Sequence, residues 1–385
     1  MTTQNNVAQN SNVTIADVQA SHMEAIKQMT FKSVHAHEIF GLANPLKGLE
    51  QKMMVAAEAH PLAPTIDTGY VFNENLLRRV MLSMSEGDSI LLVGDKGTGK
   101  SSLVQQLHAR LGKPLVSITA GPGVDESYLL GSKTIDKGDV KSFDGVLSYA
   151  YRHGLSCLID ELCALRPGVL VSVNDILQGD PVVTLKHHGI DPSQDPRKLL
   201  ELSGGMNIVK HPMFKLFGTD NTGGKASRDP RFAGSNGQNS AVRSRFTSFK
   251  VGFMSPENEM KALANAANSF AATRRMNRQI DETVVRSMVE FAFNFRKAFS
   301  LGEAFDNVSF REIRRWGRKY LNYANDLDES FVDAIYTNLE ESDQQVALSL
   351  FEETMGRQLI LPEEYSVDVS SVADVFSKGN IAAAA

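Results

Sequence analysis

Residues 90–103 read Ile-Leu-Leu-Val-Gly-Asp-Lys-Gly-Thr-Gly-Lys-Ser-Ser-Leu, an apolar run that leads into a glycine-rich turn. The run Ile90–Val93 predicts a short buried strand, and the spacing of apolar residues predicts a helix over Ser102–Leu111. Between them the pattern G-x-x-x-x-G-K-[ST] is complete. The candidate phosphate-binding loop therefore consists of Gly94, Asp95, Lys96, Gly97, Thr98, Gly99, Lys100, Ser101 and Ser102.

Each residue type in this loop has a physical reason to meet a nucleotide. The glycines let backbone N–H groups close around a polyphosphate, and the following helix directs its positive end at the charge. Lys100 is placed to reach the β and γ phosphates, and the Ser101 hydroxyl to bind Mg²⁺. The sequence therefore predicts that the chain binds ATP with Mg²⁺.

Composition agrees with a globular enzyme. The chain has 385 residues, 42% hydrophobic content and a formal net charge of −5, which gives no bulk attraction to nucleic acid or an anionic membrane. No apolar stretch is long enough to span a bilayer, and the N-terminus lacks a signal-peptide layout. With only two cysteines, we expect a cytoplasmic protein.

The chain divides by composition and periodicity. Apolar strands alternate with helices in its middle part, which predicts an α/β domain with a mostly parallel sheet flanked by helices. From Pro256 onward only helical patterns remain, which predicts an all-helical domain. The expected divisions are a disordered tail (1–22), an arm of short helical patterns (23–67), the α/β domain (68–252), a helical lid (253–345), and a C-terminal helix with a loose tail (346–385).

A second acidic element follows about 60 residues after the loop. The stretch Leu158-Ile159-Asp160-Glu161-Leu162 reads as a buried strand that delivers two carboxylates at its end. Asp160 is then expected near Mg²⁺, and Glu161 is expected to orient or deprotonate the attacking water. A glutamate at the second position favours hydrolysis over transfer to a small molecule.

Three further positions are candidates for the same chemistry. Asn221 ends a predicted strand, where it can hydrogen-bond the water or the γ-phosphate, although an asparagine in such a loop also makes local Asx turns. Arg243 and Arg245 precede the last strand, and arginine from a neighbouring subunit can neutralise charge on a transferring phosphoryl group. Arg311 opens a helix in the second domain, where arginines are also often simply solvated.

In this order the elements resemble the AAA+ ATPases, and within them the MoxR branch that includes the CobS subunit of cobaltochelatase. The resemblance covers roughly residues 68–320 and is most specific over His211–Asn221, which looks like the CobS stretch leading into sensor 1. It implies that Lys100 and Ser101 form Walker A and that Asp160 and Glu161 form Walker B. It also implies that Asn221 is sensor 1, Arg245 the arginine finger and Arg311 sensor 2.

The chain departs from the family pattern at partner-facing positions. Ser244 stands where the family has Asp, and Arg243 lies two residues upstream of Arg245, so either arginine is a candidate finger. Gly145-Val146 replaces the usual Gly-Pro, and Phe310 replaces the proline before sensor 2.

The resemblance implies an ATPase with an all-helical lid that assembles as a homohexameric ring and couples hydrolysis to conformational work on a partner. By the same resemblance the partner is a CobT-like protein with a von Willebrand A domain, and the work is remodelling or metal insertion.

Two alternatives stay open. One is a nucleic-acid motor or loader, which the acidic balance disfavours although basic stretches such as Lys186-His187-His188 exist. The other is a scaffold that binds ATP only to assemble.

Overall fold

The computed structural model describes residues 26–136, 139–185, 207–222 and 240–362. The tail expected to be disordered (1–22), Lys186-His187-His188, and the residues from 363 to the end lie outside these ranges. The described chain separates into two compact units. The first holds the residues up to Thr68 and Phe72–Gly252, and the second holds Gly69–Val71 and the residues from Phe253.

The first unit contains every strand among the described residues. The strands are β1 (Phe31–His35), β2 (Lys52–Ala56), β3 (Ser89–Val93), β4 (Leu115–Thr119), β5 (Gly131–Asp136), β6 (Asp139–Asp144), β7 (Ser156–Asp160), β8 (Val182–Thr184), β9 (Asn207–Val209), β10 (Leu216–Asp220) and β11 (Phe246–Lys250). Its helices are α1 (Ala36–Phe40), α2 (Glu74–Glu86), α3 (Lys100–Leu111), α4 (Glu126–Leu130), α5 (Val146–His153), α6 (Pro167–Ser172), α7 (Asn174–Gln178) and α8 (Ser240–Arg243).

A five-stranded sheet in the order β11-β3-β10-β7-β4 forms the centre of this unit. All four strand pairs are parallel. The inner strand β3 has Ile90, Leu91 and Leu92 at most 1% exposed, because helices cover both faces of the sheet. The prediction of a parallel sheet flanked by helices is confirmed.

Parallel pairing brings the carboxyl ends of all five strands to one edge of the sheet. Val93 lies opposite Asp220, and Thr119 lies opposite Asp160. The residues that follow β3, β7 and β10 therefore share this carboxyl edge, whereas Arg245, just before β11, belongs to the opposite, amino edge. This division positions the whole site.

Three two-stranded antiparallel pairs among the described residues were not predicted, namely β1–β2, β5–β6 and β8–β9. The short helical patterns expected in residues 23–67 were wrong for the two segments that pair as β1 and β2. The pairs β1–β2 and β5–β6 have the longer strands, and large apolar side chains on them are exposed to solvent. Met54 is 54% exposed and Ile135 is 74% exposed. Such strands lack the clean alternation that marks a half-buried strand, and their pairing is decided by the partner strand.

Helices are the only regular secondary structure in the described residues of the second unit. Its helices are α9 (Pro256–Thr273), α10 (Glu282–Leu301), α11 (Phe310–Asn322), α12 (Leu327–Ala334) and α13 (Glu341–Met355). Aromatic rings fill the core, with Phe291 packed edge-to-face on Trp316 and Phe331. Phe351 of α13 also belongs to this core. The expected boundary at residue 345 falls inside α13, so that helix completes the lid core.

A buried ion pair joins two helices of the second unit. Arg296 donates to both carboxylate oxygens of Glu259 at 2.7 Å, and its Nε donates to the Val308 carbonyl oxygen at 2.6 Å. The Phe253 ring lies 4.3 Å from the guanidinium. The bidentate geometry and the extra hydrogen bond offset the cost of burying both charges.

Among the helices of the described ranges, none combines the length and apolar character needed to cross a membrane.

Candidate functional site

The loop after β3 turns sharply because two of its glycines adopt left-handed backbone conformations. Gly97 has φ 77° and Gly99 has φ 87°, values that residues with a side chain adopt only at a cost. Helix α3 then begins at Lys100, two residues earlier than the periodicity predicted. A Cβ added to Gly99 would meet no atom within 4 Å, so open space lies in front of the helix N-terminus.

Gly94 is required for a different reason. A Cβ at this position would lie 2.0 Å from the Val251 carbonyl oxygen. The Gly94 N–H donates to the Asp220 carbonyl oxygen (3.1 Å), and the Val251 N–H donates to the Val93 carbonyl oxygen (2.7 Å). The loop therefore starts where three chain segments meet too closely for any side chain.

Lys100 is folded into its own loop. Its Nζ donates to the carbonyl oxygens of Gly94 and Asp95, both at 2.8 Å, and the residue is only 6% exposed. Burial lowers the pKa of Lys100, while the charges of Asp160, Asp95 and Asp220 oppose that change. A γ-phosphate offers this cation a stronger partner than two neutral carbonyls, so the ammonium is ready to exchange them for an anion.

The two Walker motifs are joined by hydrogen bonds between side chains. The Ser101 hydroxyl donates to Asp160 Oδ1 at 2.7 Å. The same oxygen accepts a hydrogen bond from the Thr219 hydroxyl of β10. Thr219 in turn accepts the Glu161 N–H at 2.9 Å. One continuous network therefore runs from α3 through the end of β7 to β10.

Glu161 stands in an unusual backbone conformation. Its φ of 57° and ψ of 47° lie in the left-handed region, where a residue with a side chain costs roughly 1–3 kcal/mol. The side chain is exposed at the carboxyl edge, and within the described ranges no side-chain hydrogen bond holds its carboxylate. Backbone strain of this kind at a strand end is typical of a group held for chemistry rather than for packing.

Asn221 follows β10 directly and is half-buried at the same edge. The preceding residue, Asp220, is fully buried and fixes the turn, since its Oδ1 accepts the Thr222 N–H (2.7 Å) and hydroxyl (2.8 Å). Burial, with the Asp220 charge beside it, raises the pKa of the Cys163 thiol to about 11. This cysteine is therefore a protonated packing residue under the site.

The finger candidates lie at the amino edge. Arg245 immediately precedes Phe246, which pairs with Ser89 at the start of β3. Five strand residues separate this position from Gly94, which corresponds to roughly 16 Å. The Arg245 Nε donates to Gln178 Oε1 at 3.1 Å, while Arg243 is exposed at the end of α8. Neither arginine shares the carboxyl edge of its own chain.

Arg311 belongs to the second unit. It is an exposed residue in the first turn of α11, whose N-cap Ser309 forms a capping box with Glu312. The capping box fixes where the helix begins and therefore where Arg311 projects.

The residues present fit a nucleoside triphosphate and a magnesium ion. The open, left-handed glycine loop ends on the N-terminus of a twelve-residue helix, which favours phosphate. Ser101 and Asp160 offer adjacent hard oxygen ligands of the kind Mg²⁺ prefers. Fold and site together define a phosphate-loop nucleotide-binding protein with its acidic pair at the carboxyl end of β7, beside the central strand β10.

Comparison with known proteins agrees with this class. Residues 89–246 match the model of the AAA domain, dynein-related subfamily. The chain is 23% identical to the aerobic cobaltochelatase subunit CobS of Sinorhizobium sp over 339 residues, which cover 87% of this chain and 94% of CobS. It is 26% identical to the protein CbbQ of Hydrogenophilus thermoluteolus over 200 residues, 51% of this chain and 64% of CbbQ.

A third relative extends the same pattern. The protein NorQ of Paracoccus denitrificans is 29% identical over 124 residues, which cover 31% of this chain and 46% of NorQ. Residues 89–246 therefore match an AAA domain, and over 87% of its length the chain resembles CobS.

Sequence reasoning missed two residues that the structure brings into the site. Thr219 connects both Walker B residues, and Asp220 fixes the turn that carries Asn221. Both lie in the stretch His211–Asn221, directly before Asn221. The signal that could have found them is a polar pair at the end of an otherwise apolar strand, where a buried hydroxyl or carboxylate needs a partner.

Proposed function

We propose that the chain hydrolyses ATP and couples hydrolysis to conformational work on a partner protein. The observation that carries this proposal is the hydrogen-bonded network of Ser101, Asp160, Thr219 and Glu161 beside Lys100. A chain that bound nucleotide only to assemble would not need a strained, exposed glutamate beside that network.

Each residue at the carboxyl edge has a role in this proposal. Lys100 and the loop N–H groups bind the phosphates. Ser101 and Asp160 would hold Mg²⁺, which would supply charge neutralisation for the phosphates. Glu161 orients the attacking water and accepts its proton, and Asn221 hydrogen-bonds the water or the γ-phosphate.

We further propose that Arg245 acts across a subunit interface. Its position at the amino edge, roughly 16 Å from its own phosphate loop, supports action on a neighbouring nucleotide and hence a closed ring, of which a homohexamer is the form implied by the family. Arg243 is the alternative finger, and Arg311 is proposed as the sensor 2 arginine of the lid.

The partner and the work remain part of the proposal. CobS is by name a subunit of an aerobic cobaltochelatase, which supports a remodelling or metal-insertion role with a CobT-like protein that has a von Willebrand A domain. A cytoplasmic location is supported by the two cysteines, which are both buried and unpaired.

Two alternatives make different predictions. A nucleic-acid motor would show ATP turnover that DNA or RNA stimulates and that falls steeply with added salt. An assembly scaffold would bind ATP and oligomerise without measurable turnover.

The decisive experiment measures ATP affinity by calorimetry and turnover by phosphate release for the full chain and for Lys100→Ala. We expect Mg²⁺-dependent turnover in the parent and no measurable ATP binding in the variant, at an unchanged thermal melt. A parent that binds ATP tightly and never releases phosphate would replace the enzyme with the scaffold. Unchanged affinity in Lys100→Ala would remove the loop from nucleotide binding.

A further inference from the structure

The Thr219 hydroxyl lies between the two acidic residues of Walker B. Thr219 is the fourth residue of β10 and is only 1% exposed. Its Oγ1 donates to Asp160 Oδ1 and accepts the N–H of Glu161 at 2.9 Å. A hydroxyl has one hydrogen to donate and lone pairs to accept, so this single atom satisfies both neighbours at once.

The contact to Glu161 replaces a hydrogen bond that the sheet no longer supplies. Pairing between β10 and β7 ends at Gly218 opposite Ile159. Beyond that point Glu161 turns into the left-handed region, with φ 57°. The Glu161 N–H lies beyond the paired residues of β7 and β10 and needs an acceptor other than a ladder carbonyl. The Thr219 hydroxyl is that acceptor.

This backbone contact acts on the direction in which the Glu161 side chain leaves the chain. In the described part of the chain no side-chain hydrogen bond holds that carboxylate, so the backbone conformation at residue 161 is what sets the direction of its Cα–Cβ bond. The contact to Asp160 acts in the same way on the second carboxylate, because Oδ1 is held between the hydroxyls of Ser101 and Thr219.

We propose that Thr219 is a positioning residue for ATP hydrolysis that sets the geometry of both Walker B carboxylates from the neighbouring strand. The proposal rests on the hydrolytic function proposed above. The Thr219 side chain is 1% exposed, and its hydroxyl is engaged by Asp160 and Glu161. Its effect passes through the Glu161 backbone and the Asp160 side chain, so it belongs in the rate of hydrolysis and not in ATP affinity.

The test compares Thr219→Val, which keeps the branched shape and removes the hydroxyl, with Thr219→Ser, which keeps the hydroxyl. We expect Thr219→Val to lower kcat about 10- to 100-fold, the size of effect that a misplacement of about 1 Å produces. ATP affinity should stay within about threefold of the parent, and Thr219→Ser should recover most of the lost rate. Thr219→Ala repeats the hydroxyl removal with less bulk, in case the valine lowers the melting temperature.

Thr247→Val is the matched control. Thr247 also donates its hydroxyl to a carboxylate oxygen, Asp88 Oδ2 at 2.7 Å, but at the amino edge of the same sheet. The change removes one hydroxyl–carboxylate bond without touching Walker B, so kcat should remain within about threefold of the parent. An equal loss in Thr247→Val and Thr219→Val would mean that both changes only loosen the sheet, which would overturn the proposal.

A double-mutant cycle distinguishes positioning from general damage. In single-turnover assays, Thr219→Val placed on Glu161→Gln should cost less than it costs alone, because the group that it positions has lost its function. A full additive loss on that background would overturn the proposal, as would equal losses in Thr219→Val and Thr219→Ser.

The parent enzyme separates the two ideas. If the parent does not turn over ATP, the proposed function fails. If the parent turns over and Thr219→Val and Thr219→Ala stay within threefold of it, only the role of Thr219 fails.

Discussion

The two edges of the central sheet differ in how their charged groups are held. At the carboxyl edge, Lys100 and Asp160 are satisfied by short contacts within the same few elements. At the amino edge, Arg245 is half-buried and reaches the neutral amide of Gln178. The first arrangement is a pocket that can exchange internal contacts for a ligand. The second holds a cation at the opposite edge through a hydrogen bond to a neutral amide.

This contrast is the basis of the proposal that Arg245 acts on the nucleotide of a neighbouring subunit. Parallel pairing separates Arg245 from Gly94 by the full length of a strand, roughly 16 Å, which is beyond the reach of an arginine side chain.

The largest expected effect is at the amino edge. Arg245→Ala should lower ATP turnover by roughly 10³–10⁵, the range seen for arginine fingers in phosphoryl transfer, because the guanidinium stabilises charge that develops only in the transition state. ATP affinity should change little. Steady-state phosphate release and calorimetry measure the two quantities, and Arg243→Ala is the matched control. A larger loss for Arg243→Ala would assign the finger to that residue.

Mixing variants tests whether the two edges meet between subunits. Arg245→Ala and Lys100→Ala subunits should each be inactive alone, yet their mixture should regain activity at interfaces where an intact Arg245 faces an intact Lys100. Co-assembly is checked by differential tags. Co-assembled mixtures that remain inactive would mean that Arg245 does not act across an interface.

At the carboxyl edge, Glu161→Gln should lower turnover by about 10²–10⁴, the usual contribution of a general base. The amide keeps the shape of the side chain and cannot accept the proton, so ATP affinity should match that of the parent. Turnover within threefold of the parent would exclude Glu161 as the base.

A smaller effect concerns the free energy of unfolding, through a histidine that is buried against the sheet. His108 of α3 is 1% exposed and packs edge-to-face on Phe217, and burial lowers its pKa to about 4. Between pH 6.5 and about 4 the unfolded chain gains a proton here that the folded chain does not, so unfolding becomes easier as the pH falls. The loss approaches about 3 kcal/mol at the lower limit.

The His108→Leu variant should lose that pH dependence. Urea unfolding of the parent and the variant, at several values between pH 7 and 4.5, measures the difference in slope. Parallel pH profiles for the two proteins would show that His108 is protonated without penalty in the fold.

The smallest expected effect is steric. Gly94→Ala should destabilise the first unit by about 1–3 kcal/mol, as expected for overpacking, because its Cβ would meet the Val251 carbonyl oxygen at 2.0 Å. A thermal melt measures the loss, and Gly99→Ala is a useful comparison since open space surrounds that position. Equal destabilisation would mean that left-handed backbone strain at Gly99 costs as much as the contact at Gly94.

The sequence predicted the inner strands of the sheet well because they are short, apolar and buried. The predicted strand Ile90–Val93 lies within β3 (Ser89–Val93), and the strand expected to end at the acidic pair is β7 (Ser156–Asp160). The antiparallel pairs were not predicted because their strands are exposed, and exposed strands lack the alternation of apolar and polar residues that indicates a strand. The end of the lid was placed inside α13 because periodicity does not reveal which core a helix joins.

The sequence by itself determined the phosphate loop, the acidic pair and the type of sheet, because local patterns of glycine, lysine and apolar residues carry that information. Only the tertiary structure decided that Thr219 connects Asp160 to Glu161, that Asp220 fixes the turn at Asn221, and that Arg245 lies a strand's length from Gly94. These relations join residues on different strands. They depend on the order in which the strands pair, and no local stretch of sequence specifies that order.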